Sequence, residues 1–271
     1  MGRPVVFFDV DGTLGWDDPI AREGRPEEER SVSPRPSDAV CDAIRSLVDG
    51  GAVAFLCTGR SPATLHPVIR ELPFDGVVGL GGAYVRVGEA VLRDRPFPGA
   101  VLEALEGLLL RARSGAQLES AAGVVELRGG PQGLHQGPDA PQTMQGALAR
   151  LGDHRAHKLI VPTPVAQGLM LTPGAAEVIH TSELEMGNSE VSLVQNTKQD
   201  GVKAVVDYLG EDAGMTYGFG DSQNDLPLFD EVDVAVAMGN ASDEVKARAN
   251  LVTGGVEEDG VAMGLRALGL I

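Results

Sequence analysis

Cysteine is scarce in this 271-residue sequence, with Cys41 and Cys57 as the only two. Two cysteines are too few for a disulfide framework, and their spacing is not that of a zinc site, so we expect both to be reduced packing residues. Positive charge is scarce too, because 22 Lys and Arg residues face 39 Asp and Glu residues and leave a formal net charge of −17. A nucleic-acid partner would need a basic surface and is not expected. An anionic small substrate must therefore be attracted locally, by a metal ion or a few placed cations.

Long apolar runs are also missing. No run approaches the roughly 18 residues that cross a membrane. The N-terminus leads straight into a strand pattern, without the basic region, apolar segment and cleavage site of a signal peptide. We therefore expect a cytoplasmic protein with no membrane partner. A complete dinucleotide fingerprint and a P-loop motif are absent as well, which excludes those two kinds of nucleotide site. No pattern in the sequence fixes an oligomeric state.

What the sequence does contain, near its start, is an apolar run that ends in acids. Residues 5–14 read VVFFDVDGTL. The apolar residues predict a strand buried on both faces, and Asp9 and Asp11 follow where it stops. Gly12 permits a sharp turn there, so both carboxylates can be held at the end of one strand. Like charges this close repel each other, which indicates a cation or a shared proton.

The residues after this strand are different in character. Residues 15–36 are rich in charge, Gly and Pro and predict an exposed excursion between the first strand and the first helix. Its position favours two interpretations equally, a flap above the carboxylates or a solvated loop without a role.

Polar residues close a second buried strand. Residues 52–57, AVAFLC, predict this strand, and it stops at Thr58 and Gly59. The pair 61–62, Ser-Pro, then predicts the start of a helix over residues 63–71. Thr58 would lie between a strand end and a helix N-terminus, where its hydroxyl and the following backbone N–H groups can hold an anion.

A third cluster lies in the C-terminal part. The stretch MTYGFGDSQND predicts a strand that stops at Gly220 and Asp221, with Asn224 and Asp225 directly after it. Lys198 opens the amphipathic helix that precedes this strand. Three separate strands therefore end in residues that can bind a phosphate or a cation.

The order of predicted elements indicates an α/β fold, a doubly wound, Rossmann-like parallel sheet with an inserted α+β domain. Buried strands alternate with helices over residues 1–82 and 190–271, which we predict to form one core domain. Residues 83–189 are predicted to form the insert. The expected elements of the insert are helices over 99–113 and 142–151 and short strands over 124–127, 158–161, 168–171, 176–180 and 191–194. Sheets of this kind bind ligands at the carboxyl ends of their strands, where every candidate residue falls.

These residue types together fit phosphate chemistry. Four carboxylates without His or Cys, on Asp9, Asp11, Asp221 and Asp225, suit a hard cation such as Mg²⁺. Lys198 can neutralise phosphate oxygens as a point charge. A carboxylate that faces phosphorus can form an aspartyl phosphate, and a second carboxyl can protonate the leaving oxygen. Each motif alone is common in loops, but their order at successive strand ends favours a site.

The chain resembles the haloacid dehalogenase (HAD) superfamily of aspartate-dependent phosphotransferases. The matching motifs, in order, are FFDVDGTL, LCTGR, the lysine Lys198 and GFGDSQND. The tail AMGNASDEVKARANLVTGGVEEDGVA is similar to the Cof-like branch, whose members carry a large α/β cap between the second and third motifs. Motifs carry the resemblance over residues 5–82 and 190–264, whereas the cap matches by position and length.

The resemblance implies a role for each residue. Asp9 would be the nucleophile and Asp11 the general acid/base, while Lys198 would order Asp9 and the phosphate. The implied phosphate-binding residues are Thr58, Gly59, Lys198 and Asn224, the last of which would also fix its own loop. The implied Mg²⁺ ligands are a side-chain oxygen of Asp9, the backbone carbonyl of Asp11, Asp221 and, directly or through water, Asp225.

Two positions depart from the Cof-like pattern. Asn-Gly-Ala is usual at the hinge into the cap, but residues 81–83 are Gly-Gly-Ala and lack that substrate-facing side chain. The motif lysine is usually followed by Gly, whereas Gln199 follows here. The first departure bears on the substrate and the second on local backbone shape.

The expected function is that of a Mg²⁺-dependent phosphomonoester hydrolase acting through an aspartyl phosphate on a small phosphorylated metabolite. By resemblance, a sugar phosphate is the first expectation and a phosphorylated cofactor such as pyridoxal phosphate or flavin mononucleotide the second. Two alternatives stay open. One is a phosphomutase or phosphotransferase that passes the phosphoryl group to a sugar hydroxyl. The other is a non-catalytic, receiver-like phospho-aspartate switch, although receivers are small single domains without a long insert.

Overall fold

The computed structural model describes residues 2–17, 32–129 and 139–271. Most of the predicted excursion at 15–36 therefore lies outside the described residues. Within those ranges the strands are β1 (Arg3–Phe8), β2 (Val53–Cys57), β3 (Gly76–Gly79), β4 (Tyr84–Val87), β5 (Ala90–Asp94), β6 (Ala116–Ser120), β7 (Gly123–Leu127), β8 (Lys158–Pro162), β9 (Ile179–Glu183), β10 (Asn188–Leu193), β11 (Ala213–Gly220), β12 (Val234–Ala237) and β13 (Leu251–Val252). The α-helices of the same ranges are α1 (Asp38–Asp49), α2 (Pro67–Glu71), α3 (Gly99–Ala112), α4 (Met144–Arg150), α5 (Thr163–Met170), α6 (Lys198–Leu209), α7 (Leu226–Phe229), α8 (Asp243–Lys246) and α9 (Gly260–Ala267).

The chain divides into two compact units. The first comprises Met1–Arg60, Thr64–Arg93 and Thr197–Ile271, and the second comprises Ser61–Ala63 and Asp94–Asn196. No helix of the described residues is both long and apolar enough to cross a membrane.

The first unit is built on an eight-stranded sheet with the order β13-β12-β11-β1-β2-β3-β4-β5. The strands from β13 to β3 are parallel, and β4 runs antiparallel to β3. The chain winds outward from β1 to β2 and β3 on one side, and from β11 to β12 and β13 on the other. The switch between the two directions lies between β1 and β11, and a crevice at such a point is the usual ligand site of an open α/β sheet.

The central strand β1 explains the layered core. The strand residues at positions 5–8 are all fully buried. Because alternate residues of a strand point to opposite faces, both faces of β1 must be covered. Val6 and Phe8 belong to the core that includes residues of α1 and α9, whereas Val5 and Phe7 belong to the core that includes residues of α6 and α7. Helices therefore cover both faces of the sheet, which confirms the predicted fold class.

The second unit has its own sheet and its own core. Five strands in the order β7-β6-β8-β10-β9 pair antiparallel throughout. Helices α3, α4 and α5 contribute apolar side chains to one core with the sheet, in which Leu105, Leu118 and Leu159 are fully buried. This α+β arrangement agrees with the predicted class of the insert.

Several sequence-based assignments differ from the structure. Residues 168–171 were expected to be a strand, but they form the end of α5 and the residue after it. The strand expected at 176–180 begins only at Ile179. Residues 83–94 were assigned to the insert, whereas β4 and β5 extend the first sheet, so the units separate at 93/94 and 196/197 instead of 82/83 and 189/190.

Candidate active site

The loop that follows β1 carries the first two acids. Asp9 is 4% exposed, and its backbone N–H donates to the carbonyl of Phe219 in β11 at 2.9 Å. The turn closes on Val10, whose carbonyl oxygen accepts the backbone N–H groups of residues 13–15. The side chain of Asp11 is 46% exposed. Asp9 is therefore enclosed at the sheet edge, while Asp11 is open to solvent.

Gly12 makes this turn possible. Its φ is +76°, in the left-handed region that favours glycine, and a Cβ here would lie 2.3 Å from Oδ2 of Asp221. The hydroxyl of Thr13 donates to Oδ1 of Asp221 at 3.2 Å. The amide of Asn240 donates to the carbonyl of Gly12 at 2.9 Å and to Oδ2 of Asp221 at 3.4 Å. The loops after β1, β11 and β12 thus meet at Asp221.

Thr58 follows β2 at the same edge of the sheet. It is 1% exposed, and its backbone N–H donates to the carbonyl of Val78 in β3 at 2.8 Å. Its hydroxyl oxygen accepts the backbone N–H of Arg60 at 3.1 Å, which leaves the hydroxyl hydrogen to donate elsewhere, as a phosphate ligand requires. Gly59 lies between them, with open space where a Cβ would stand.

The helix expected next to Thr58 begins later than the sequence indicated. Residues 62–64 form a 3₁₀ turn, and α2 starts at Pro67 with His66 as its N-cap. The hydroxyl of Ser61 donates to the carbonyl of Ser120 at 2.5 Å and accepts the N–H of Ala63. The α-helix expected over residues 63–71 is therefore shortened to Pro67–Glu71, and a 3₁₀ turn that starts at Pro62 stands near Thr58 in its place.

Lys198, the first residue of α6, is the centre of a buried ion-pair network. Its Nζ donates to Oδ1 of Asp9 at 2.7 Å and to Oδ1 of Asp225 at 2.5 Å. A longer contact of 3.3 Å reaches Oδ1 of Asn224. The side chains of Lys198, Asp9 and Asp225 are 3%, 6% and 0% exposed. One ammonium therefore connects the loop after β1 to the loop after β11.

Asp225 uses both carboxylate oxygens within this network. Oδ1 accepts from Lys198, and Oδ2 accepts the backbone N–H groups of Asp221 and Ser222 at 3.0 Å each. Gly220 leaves room for it, since a Cβ there would lie 2.5 Å from the carboxyl carbon of Asp225. Asp225 therefore orders the loop that carries Asp221 while it pairs with Lys198.

Three acids lie close enough together to hold a cation. Carboxylate oxygens of Asp9, Asp221 and Asp225 all lie within 4.8 Å of one another. Burial raises the pKa of Asp221 to about 6, and the charge of Asp225 adds to the effect. Burial raises the pKa of Asp9 as well, opposed by Lys198. Burial alone would lower the pKa of Lys198, but the charges of Asp225 and Asp9 outweigh it and hold that pKa above its usual value.

The donor set of this cluster fits a hard divalent cation. All three groups are carboxylates, and the ammonium of Lys198 offsets only part of their negative charge, which burial makes unfavourable. The side chain of Asp11 is not one of the three. Its two oxygens instead accept hydrogen bonds from Nε and Nη2 of Arg60 at 2.6 and 2.7 Å.

The structure therefore brings most of the predicted residues into direct contact and adds others. Lys198, Asp9, Asn224 and Asp225 form one network, which Asp225 extends to the loop of Asp221. Thr58 and Gly59 stand at the end of the neighbouring strand. Residues that the sequence analysis did not single out are Thr13, Arg60 and Asn240. Each lies inside a motif already quoted above, which is the signal that could have identified it.

Known proteins resemble this chain over most of its length. A family model described as haloacid dehalogenase-like hydrolase matches residues 6–127 and 171–265, which include every predicted site residue. YkrA of Bacillus subtilis (strain 168), a phosphatase by its name, is 28% identical over 279 residues, with all of both chains covered. YwtE of the same organism, named a 5-amino-6-(5-phospho-D-ribitylamino)uracil phosphatase, is 22% identical, with 95% of each chain covered.

Solved structures show the same fold. A HAD-superfamily phosphatase of Bacteroides thetaiotaomicron superposes with a TM-score of 0.75 at 24% identity, covering 100% of this chain and 96% of that one. A sugar phosphatase of HAD subclass IIB gives a TM-score of 0.72 at 21% identity, covering 99% and 100%. At these identities the likeness establishes the fold alone, while the family model matches most of the sequence. The chain belongs to the haloacid dehalogenase-like hydrolase family.

Proposed function

We propose that this protein is a Mg²⁺-dependent phosphomonoester hydrolase that acts through an aspartyl phosphate on Asp9. The observation that carries the proposal is the buried ammonium of Lys198, 2.7 Å from Asp9 and 2.5 Å from Asp225. The ammonium orients the carboxylate of Asp9 and favours its ionised form, which opposes the rise in pKa that burial causes and suits a nucleophile. The names of the relatives and the family match support the reaction class.

The residues that would hold Mg²⁺ are the side chains of Asp9 and Asp221 and the backbone carbonyl of Asp11, with Asp225 supporting the loop. When bound, the ion supplies positive charge that offsets the phosphate oxygens of the substrate. Thr58, the backbone of Gly59, Lys198 and Asn224 would bind those oxygens.

The chain's own residues carry two proposed steps. In the first, a carboxylate oxygen of Asp9 bonds to phosphorus, the ester P–O bond breaks, and protonated Asp11 gives its proton to the leaving oxygen. In the second, a water oxygen bonds to phosphorus while Asp11 takes a proton from that water. The bond from phosphorus to Asp9 then breaks, which releases inorganic phosphate and restores both carboxyl groups.

A small phosphorylated metabolite is the proposed substrate class. One relative is named for a phosphoribitylamino compound, and one structural neighbour is described as a sugar phosphatase, so an ester of a hydroxyl-rich carbon chain is our first choice. We propose that residues 94–196 serve as the cap that selects the leaving group. A cytoplasmic location stays a prediction.

Release of inorganic phosphate from 4-nitrophenyl phosphate tests the mechanism. We expect turnover with Mg²⁺, its loss with a chelator, and a loss of at least about 10³-fold for Asp9→Asn, because the amide is a poor nucleophile. Asp42→Asn is the control, since Asp42 is an exposed acid on α1 that pairs with Arg45. Activity that survives the chelator or Asp9→Asn would contradict the proposal.

The phosphotransferase alternative uses the same first step and differs in the acceptor. Analysis of products from a sugar phosphate separates the two, because a hydrolase releases phosphate and a mutase returns an isomerised sugar phosphate. The separate core of the second unit and the family match weigh against the receiver-like alternative.

A further inference from the structure

Arg60 makes a two-point contact with the proposed acid/base Asp11. Its Nε donates to Oδ2 at 2.6 Å, and its Nη2 donates to Oδ1 at 2.7 Å. Two parallel bonds between a guanidinium and a carboxylate fix the plane of the carboxylate as well as its position. The side chains of Arg60 and Asp11 are 18% and 46% exposed, so the contact lies at the rim of the site.

The backbone of Arg60 is itself held at two places. Its N–H donates to the hydroxyl of Thr58 at 3.1 Å, and its carbonyl accepts the N–H of Leu80 at 3.0 Å. Thr58 follows β2 and Leu80 follows β3, whereas Asp11 follows β1. The guanidinium therefore extends from a backbone tied to two strand ends and reaches a carboxylate on the loop of a third.

Asp11 needs an external restraint more than the other acids do. A half-exposed aspartate on a turn samples several rotamers, and proton transfer requires one particular orientation. Asp9 is enclosed and bonded to Lys198, and Asp221 is bonded to Thr13 and Asn240. The bidentate contact with Arg60 gives Asp11 a comparable constraint.

We infer that Arg60 is a positioning residue for Asp11. It holds the carboxylate in one orientation. When one of its two hydrogen bonds to Arg60 breaks, the freed oxygen can exchange a proton with the leaving group or the attacking water. Arg60 acts through Asp11 and makes no bond to the phosphoryl group. The inference rests on the function proposed above, since that function gives Asp11 its acid/base role.

Leaving groups of different basicity make this inference testable. An alkyl phosphate has a basic leaving oxygen that must be protonated, whereas the nitrophenolate of 4-nitrophenyl phosphate leaves without a proton. A residue that acts through Asp11 therefore affects kcat/KM for the alkyl ester more strongly. A residue that binds the phosphate, or only supports the fold, affects both esters alike.

The experiment compares wild type, Arg60→Gln and Arg60→Lys on glycerol phosphate and 4-nitrophenyl phosphate with Mg²⁺. For Arg60→Gln we expect kcat/KM to fall about 30-fold for the alkyl ester and less than about 3-fold for the aryl ester. For Arg60→Lys, kcat/KM for the alkyl ester should lie between the values of wild type and Arg60→Gln, because an ammonium keeps the charge but cannot make the bidentate contact. Arg45→Lys, which changes an exposed ion pair 2.8 Å long on α1, should leave both values unchanged.

A double-mutant cycle with Asp11→Asn tests whether the effect passes through Asp11. In that background, Arg60→Gln should change kcat/KM for the alkyl ester less than about 2-fold. Equal losses on both esters, an increase in rate, or a full additional loss in the Asp11→Asn background would overturn the inference. Failure of the proposed function looks different, because wild type would then hydrolyse neither ester or Asp9→Asn would stay active.

Discussion

Each acid of the candidate site has a different set of hydrogen-bond donors, and the set indicates what the acid can do. Asp9 pairs with a buried ammonium, Asp11 with a guanidinium at the rim, Asp221 with a hydroxyl and an amide, and Asp225 with two backbone N–H groups in addition to the ammonium. Four acids with the same side chain are therefore held in four different environments, as the proposed roles of nucleophile, proton carrier, metal ligand and loop support require.

Replacing Lys198 tests this division of roles. Lys198→Met leaves two buried carboxylates without their counter-ion, so we expect the free energy of unfolding to fall by about 3 kcal/mol and kcat by at least about 10³-fold. Lys203→Met is the matched control on the same helix, because the Lys203 side chain is 60% exposed and lies 3.5 Å from Asp207. Denaturant unfolding and phosphate release measure both effects. Near-normal kcat in Lys198→Met would contradict the role given to the ammonium.

The sequence could identify the acids because each one lies at the end of an apolar strand or within a few residues of it. Asp9 and Asp221 stand where buried runs stop, and residues at the carboxyl ends of parallel strands share one edge of the sheet. It could not identify the contact of Arg60 with Asp11 or of Asn240 with Gly12. These partners are 49 and 228 positions apart, and only the packing of loops brings them together.

The turn after β3 shows how one element positions another. Gly82 has a φ of +94°, and a Cβ there would lie 2.0 Å from the carbonyl oxygen of Thr197. Thr197 caps α6, whose first residue is Lys198. Gly81, where the family pattern has Asn, has a φ of +65° and open space around the position of a Cβ. A Cβ would therefore clash at position 82 but would have free space at position 81.

Substitutions at these two glycines should differ in effect. Gly82→Ala displaces the start of α6, so we expect the free energy of unfolding to fall by at least about 2 kcal/mol and kcat to fall with it. Gly81→Asn should change stability by less than about 1 kcal/mol, because Asn tolerates the left-handed region and its Cβ meets no neighbour. Thermal unfolding and phosphate release compare the two. Equal stability of both variants would show that the approach of Gly82 to Thr197 is not needed.

Element prediction failed where periodicity was too short to decide. The apolar run at 168–171 has four residues, and a run of that length fits a buried strand or the end of a helix equally well. The structure makes it part of α5, whose residue Pro164 occupies a favoured position in the first helical turn. The hairpin of β4 and β5 was assigned to the wrong unit because pairing with β3 is a tertiary choice that local sequence does not record.

At the scale of the whole molecule, the two units have separate cores. The second unit contains a buried histidine. The His157 side chain is 0% exposed, and its Nε2 lies 2.7 Å from Oδ1 of Asp94. Among the described residues its Nδ1 has no hydrogen-bond partner, so a second ring proton would be buried without an acceptor. Burial accordingly lowers the pKa of His157 to about 4.

The stability of the protein should therefore depend on pH through His157. In the unfolded chain this histidine binds a proton below a pH of about 6.5, whereas in the folded chain it does so only below a pH of about 4. Protonation therefore favours the unfolded chain, and the free energy of unfolding falls as the pH falls from about 6.5 to about 4. The contribution is about 3 kcal/mol at the acid end. His157→Gln should remove this part of the slope in denaturant unfolding. His180→Gln, at an exposed position of the same unit, should keep it, and an unchanged slope in His157→Gln would contradict the assignment.

The longer segment of the second unit, Asp94–Asn196, begins and ends at neighbouring positions. The side-chain amide of Asn196 donates to the carbonyl of Arg95 at 3.3 Å, and the guanidinium of Arg95 donates to Gln195 at the same distance. A segment whose two ends meet can be shortened, enlarged or exchanged during evolution without altering the path of the chain on either side. The four acids of the candidate site, which all lie outside Asp94–Asn196, can thus be inherited unchanged while that segment diversifies.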